Sequence, residues 1–404
     1  MTGRIAAPPR LDAAGPIRRA DLDIAYVLMF FLASRIALEV VGVMSLSLIQ
    51  PFTNFEPGPV HSGSRWLAIW GAWDAGWFMG IARDGYDSAI RTAGPGANVA
   101  NWPFFPAYPG ISAALAWLTG LPVFAAMLVV SNVSFLGALF LVRIEAGREF
   151  GPAAARATVA LFCVMPGTHV FSSAYSEALF LFAVALTFVL VRRRLWLAAG
   201  LAAGLAALTR NTGIALVLPM LVIGGQDALS ASVAGQSLRE RLPGMLRRSW
   251  PVLLACCIPV MALLGFCLHL YLRTGDPLAF VTIQARFGKT LRFPLDALTQ
   301  PFRTFTAIDA LNWIGACVAV AMLVPLALWR RWHLFVYAVF VVMLPLSSGL
   351  VSFNRYLLTM LPVVMAAGAL CGANPTFQAA ALPALATLSG LFMVGWSLDL
   401  LFVI

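Results

Sequence analysis

Charge is scarce in this chain of 404 residues: 11% of them are charged and 61% are hydrophobic. An average globular protein is about 25% charged, so a soluble domain with an ordinary polar surface is excluded. Lysine is nearly missing, with Lys289 the only one. The four histidines, His61, His169, His269 and His333, show no HExxH or comparable spacing, so no metal site is indicated. No P-loop and no GxGxxG occurs, and nothing points to a bound nucleotide or other cofactor. The six cysteines (Cys163, Cys256, Cys257, Cys267, Cys317 and Cys371) lie in apolar runs without CxxC spacing. That pattern indicates neither a zinc site nor a disulfide framework. Apolar–polar alternation over roughly ten residues is also missing, which excludes a spanning β-barrel.

What the chain has instead is a succession of apolar runs near the length of a bilayer crossing. They fall at 24–49, 122–142, 154–172, 175–191, 195–209, 212–225, 251–272, 311–329, 333–350, 356–371 and 379–403. The expected fold is an all-α polytopic membrane protein with about eleven transmembrane helices. The first run is too long for a signal-peptide core and reads as an uncleaved span. A twelfth stretch, 104–119, is short and opens with Pro103, Pro106 and Pro109.

The arginines decide how 104–119 is read. If it lies on the membrane and the N-terminus is cytoplasmic, 16 basic residues fall on the cytoplasmic side and 10 on the other. The first group includes Arg18-Arg19, Arg192-Arg193-Arg194 and Arg330-Arg331. A crossing at 104–119 would turn the triple arginine outward, against the positive-inside rule. The net charge of +10 is therefore assigned to cytoplasmic helix ends rather than to nucleic acid. A single domain, 1–404, results, with two outer loops at 50–121 and 273–310.

Those loops and the outer span ends collect the chemistry-bearing residues. Asp74 lies in Trp73-Asp74-Ala75-Gly76-Trp77-Phe78. A carboxylate held among tryptophans at a bilayer surface is a candidate general base; the plain alternative is a helix cap. Trp66, Trp70, Trp73 and Trp77 have helical spacing and read as one apolar stripe anchoring Asp74 at the interface. Asp84 precedes Gly85 and reads as a turn, and Asp87 reads as solvated. Arg35 and Glu39 are four apart in the first span and read as a structural pair. Arg210 and Arg355 stand at outer span ends, where arginine either clasps phosphate bidentately or snorkels to head groups. Arg286 and Lys289 either bind phosphate or belong to an ordinary basic loop.

The order of the motifs resembles a known family. Trp-Asp-x-x-Trp-Phe, then Ile81-Ala82-x-x-Gly85-Tyr86, is similar to the second mannosyltransferase of glycosylphosphatidylinositol anchor assembly and its bacterial relatives. Phe104-Phe105-Pro106-Ala107-Tyr108-Pro109, Tyr175-Ser176-Glu177, Leu208-Thr209-Arg210-Asn211-Thr212-Gly213, Gly275-Asp276-Pro277 and Arg355-Tyr356 continue the likeness in order. The resemblance implies a glycosyltransferase-C fold and a polyprenyl-phosphate sugar donor, usually of mannose. It also implies inversion at the anomeric carbon, with Asp74 as base. Arg210, Arg355, Arg286, Lys289, Glu177 and Tyr108 are the implied substrate-binding residues. The acceptor does not carry over: an unknown lipid, glycan or protein. Arginine-rich, lysine-poor composition points to a bacterial inner membrane, with the site on the periplasmic side. The rival reading is a transporter or flippase of a lipid-linked or anionic solute, for which Thr209-Arg210-Asn211 would be a broken helix.

Overall fold

The computed structural model describes residues 24–49, 64–92, 96, 98–230, 238–289, 291–299 and 307–400, with the side chains of 65, 238–243, 245, 246 and 307–309 left out. Arg4, Arg10, Arg18, Arg19, His61, Arg303 and parts of both outer loops lie outside the described residues.

Among the described residues the structure is helical and contains no strand. The chain enters through α1 (Ile24–Met44), prolonged by one wider turn to Ile49. The first outer loop carries α2 (Arg65–Ala68), α3 (Ala75–Asp84) and α4 (Ala107–Thr119). The bundle follows with α5 (Val123–Phe150), α6 (Pro152–Val164), α7 (Glu177–Arg192), α8 (Trp196–Thr209), α9 (Val217–Ser230) and α10 (Leu238–Thr274). The second loop holds α11 (Ala279–Thr282) and α12 (Asp296–Thr299). The last part comprises α13 (Ala307–Ala321), α14 (Leu323–Leu328), α15 (Trp332–Ser347), α16 (Phe353–Leu357), α17 (Leu361–Ala373) and α18 (Pro375–Ser397). Among the described residues six segments are long and apolar enough to cross a membrane: Ile24–Ile49, Val123–Phe150, Asn211–Ser230, Arg247–Thr274, Ala310–Leu328 and Pro375–Ser397. α6, α8, α15 and α17 are apolar but shorter. The protein is a multi-pass membrane protein.

α4 has 13 residues, about 20 Å of helix, short of the roughly 30 Å hydrocarbon core. Gly120 at φ +73° ends it. Its Trp117 and Leu118 are exposed, at 84% and 71%, while Tyr108, Ser112 and Ala116 face inward.

The bundle is built on α7, which is buried on nearly every face and packs between α5 and α8. Small residues set the closest approaches, as expected where helices associate by van der Waals packing. A Cβ added at Gly200 of α8 would meet the Ala255 carbonyl oxygen of α10 at 2.6 Å. Gly368 and Gly372 of α17 lie equally close to Thr158 and Ala153 beside them on α6. α7 also separates two polar ends. Glu177 opens it and Arg192 closes it, a rise of about 24 Å apart.

Two expectations are corrected here. Arg35 and Glu39 do not serve each other. Arg35 donates to the Thr168 carbonyl at 2.9 Å and to the Thr168 and Ser172 hydroxyls at 3.0 and 3.3 Å. Glu39 accepts from the Trp70 indole at 2.7 Å. Each charge in the span thus satisfies orphaned polar groups of a neighbouring turn. The tryptophan stripe does not form either, because the helix breaks: α2 ends at Ala68 and α3 begins at Ala75, with Trp73 between them at φ +54°. Only Trp66 is exposed, at 55%; Trp70 is buried, and Trp77 stacks on Phe104 with ring centroids 5.7 Å apart.

Candidate active site

Five segments bring their polar residues to one cavity of about 790 Å³. Asp74 precedes α3, Glu177 opens α7, Arg210 follows the last turn of α8, Lys289 leaves the second loop, and Arg355 sits on α16. Phe78, Phe104, Phe180, Phe280, Phe287 and Leu344 are among the apolar walls. The cavity therefore combines a charged cluster with apolar walls and uncharged polar groups such as Asn211, Gln284 and Ser348.

Asp74 occupies the N-cap position of α3, but its side chain makes no capping bond. The plain reading as a cap is thereby set aside. Its Oδ2 instead accepts from Arg355 Nη1 at 2.5 Å. The side chain keeps 26% exposure while the Arg355 side chain keeps 11%. Arg355 Nε lies 3.2 Å from Glu177 Oε1, and the same oxygen accepts from Arg210 Nη1 at 2.5 Å. Glu177 is thus a buried brace between two arginines, and Arg355 is the joint between two carboxylates. Burial alone would pull the Arg355 guanidinium down, but Asp74 and Glu177 outweigh it and hold its pKa well above the usual value.

Lys289 reaches the same cluster by donating to the Tyr356 hydroxyl at 2.7 Å. The Tyr356 ring lies beneath three cations, Arg210 at 5.1 Å, Lys289 at 5.3 Å and Arg355 at 5.6 Å. Burial pushes its phenol up, and Lys289, Arg355 and Arg210 together bring it down to about 8. One tyrosine is expected to ionise near pH 8 in an ultraviolet titration, and Lys289→Met should move that ionisation upward. A titration unchanged by the substitution would contradict the placement of Lys289. Tyr356 was named from sequence only as part of the Arg355-Tyr356 motif, without a role of its own.

The other anticipated residues go elsewhere. Tyr108 is fully buried, bonds the Met127 carbonyl at 3.0 Å and the Ser131 hydroxyl at 2.9 Å, and does not line the cavity. Arg286 faces the first loop and donates to the Asn98 carbonyl at 3.3 Å, which ties the loops together instead of facing the cavity. Asp84 is exposed at the far end of α3, where Gly85 at φ +81° turns the chain. Asp87 is not merely solvated. It grips Arg91 at 3.0 and 3.2 Å, accepts from the Asn101 amide at 3.0 Å, and staples the loop.

At the opposite end of α7, Glu145, Glu149 and His333 offer ligand atoms within 4.8 Å of one another. Arg192 bonds Glu149 and lies 3.6 Å from Glu145, and Arg331 lies 3.4 Å from Glu149. Two arginines thus compensate the two buried carboxylates, so the group has the composition of an ion-pair latch rather than of a cation site.

The sequence model of one family, described as mannosyltransferase (PIG-V), matches residues 24–238, more than half the chain, and this stretch contains Asp74, Glu177 and Arg210. The chain belongs to this family. Membership bears out the likeness drawn from the motifs to a mannosyltransferase family. Lys289 and Arg355 lie beyond the matched stretch. No curated protein matches the chain. Among solved structures it is similar to ArnT from Cupriavidus metallidurans bound to undecaprenyl phosphate. That likeness has 16% identity and a TM-score of 0.49, and covers 92% of this chain and 65% of that one. It is also similar to the Archaeoglobus fulgidus oligosaccharyltransferase tethered to an acceptor peptide, at 12% identity and a TM-score of 0.47, covering 95% and 56%. The family member thus spans about two thirds or less of the solved chains it resembles.

Proposed function

We propose that this protein is an inverting glycosyltransferase that moves a sugar, in this family mannose, from a polyprenyl-phosphate carrier to an acceptor hydroxyl. The observation that carries the reading is the pairing of two carboxylates with three cations at one cavity. Arg210, Lys289 and Arg355 stand against Asp74 and Glu177, which leaves one net positive charge in a cavity with extensive apolar walls. A lipid phosphate has the matching chemistry: an anionic head and a long apolar tail.

In this reading Asp74 takes the proton of the acceptor hydroxyl as that oxygen bonds to the sugar C1. The bond from C1 to the phosphate oxygen breaks, and its electron pair leaves with the lipid phosphate. Cations already in place stabilise the charge that develops there without reorganising at the moment of reaction. Attack from the face opposite the leaving phosphate inverts C1. Arg355 keeps the carboxylate aimed, and Glu177 keeps both arginines aimed. Purified protein should release polyprenyl phosphate from polyprenyl-phosphate mannose when a membrane lipid extract supplies acceptors. Release without sugar transfer to any extract component, or no release, would count against it.

The site is assigned to the non-cytoplasmic face of a bacterial inner membrane. The basic residues support this, because Glu177 and the Arg192-Arg193-Arg194 turn stand at opposite ends of α7. Arg193 and Ser88 are both exposed. In intact cells Ser88→Cys should react with an impermeant thiol reagent, while Arg193→Cys should react only after permeabilisation. Strong labelling of Arg193→Cys in intact cells would reverse the topology.

A further inference from the structure

Trp73 is the residue that makes the site's turn unusual. It holds φ +54°, a left-handed conformation that a bulky side chain adopts only when its surroundings impose it. The imposition is visible. The Tyr175 hydroxyl accepts from the Asp74 amide at 2.9 Å and donates to the Ala72 carbonyl at 3.3 Å. One phenol therefore bonds the backbone on both sides of Trp73. The turn bearing Tyr175 is itself tied to the same segment, since the Ala174 amide donates to the Trp70 carbonyl at 3.0 Å.

The phenol is well placed to be rigid. Tyr175 is fully buried. Its ring packs edge-on against Trp396 at 5.4 Å, with Phe78 at 6.3 Å and the Arg355 guanidinium at 5.4 Å. Trp396 is pinned in turn by donating to the Ile69 carbonyl at 2.6 Å. Burial and the Asp74 charge raise the phenol's pKa well above its usual value, so the hydroxyl keeps its proton and serves as donor and acceptor together. Tyr175 does not line the cavity; its ring packs under Arg355, and its hydroxyl acts on the reaction through the backbone it holds.

We propose that Tyr175 is a positioning residue for sugar transfer: by clasping the Ala72 carbonyl and the Asp74 amide it holds the left-handed Trp73 turn that delivers the Asp74 carboxylate to Arg355 and the cavity. The proposal rests on Asp74 being the base. It separates two roles within one short motif: Glu177 braces the cations, and Tyr175, two residues earlier, braces the base.

The test uses the full-length protein in detergent, with polyprenyl-phosphate mannose as donor and a membrane lipid extract as acceptor. Tyr175→Phe keeps the ring in the core and removes only the hydroxyl. It should lower kcat by roughly 10-fold, as a small displacement of a base does, and leave the donor KM within about twofold. Amide exchange across residues 72–78, followed by mass spectrometry, should accelerate. Glycine adopts positive φ without steric penalty, so in a Trp73→Gly background the turn no longer depends on the clasp. The effect of Tyr175→Phe on kcat should there shrink to less than about threefold. An unchanged kcat, an equal drop in both backgrounds, a loss confined to KM, or unaltered exchange would each overturn the proposal. Failure of the base assignment is distinguishable: Asp74→Asn would then turn over normally, while the exchange difference of Tyr175→Phe would remain.

Discussion

Asp74→Asn is expected to insert and fold as the parent does and to lower sugar transfer by roughly 10²–10⁴-fold, the range for loss of a general base. The carboxylate accepts from Arg355 at 2.5 Å and keeps a quarter of its surface open to the cavity. An asparagine of the same shape still accepts a bond from Arg355, so packing is preserved while the proton acceptor is lost. The control is Asp84→Asn, at the exposed end of α3, which should retain near-parental turnover. Near-normal rates for Asp74→Asn at saturating polyprenyl-phosphate mannose would remove Asp74 from the mechanism. A comparable loss in Asp84→Asn would move the base to that residue.

Arg355→Ala carries the second large effect, and it has two components. The arginine joins two carboxylates, one of them, Glu177, only 1% exposed in its side chain. Removing one partner from a buried charge cluster costs about 3–5 kcal/mol, because the remaining charge is left uncompensated. The melting temperature in detergent should therefore fall clearly. Turnover should fall roughly 10²-fold or more, as when a preorganised group stabilising developing charge is deleted. Arg210→Ala should cost less stability, because Glu177 retains Arg355. Both changes should weaken donor use more than acceptor use. Unchanged melting and donor kinetics in both variants would return the two arginines to snorkelling at the head groups. Arg355→Ala and Glu177→Gln together should show strong non-additivity, since the two side chains are in contact.

Several of these inferences were legible before any coordinates. Apolar run length dictated helices, because backbone groups inside a bilayer must be satisfied within their own segment. The ordered motifs pointed to the family. Asp74, Glu177, Arg210, Lys289 and Arg355 were all named from sequence, and all five meet at one cavity. Tyr108 and Arg286 were named on the same grounds and do not. A motif match does not tell a residue of the cavity from one of the core, and Tyr108 bonds Met127 and Ser131 in the core.

What the sequence by itself determined is the helical, multi-pass character and the set of candidate site residues. Those properties are local: each depends on hydrophobicity or charge within a single segment. Only the tertiary structure decided which candidates touch. Asp74 and Arg355 are 281 positions apart, and no periodicity links them. The break at Trp73 was equally out of reach, because Trp66, Trp70, Trp73 and Trp77 have perfect helical spacing. That spacing lost to a contact from Tyr175, about a hundred residues away. A bulky residue takes positive φ only when distant groups outweigh the steric cost, about 1–2 kcal/mol, and such groups belong to the fold, not to the neighbourhood in sequence.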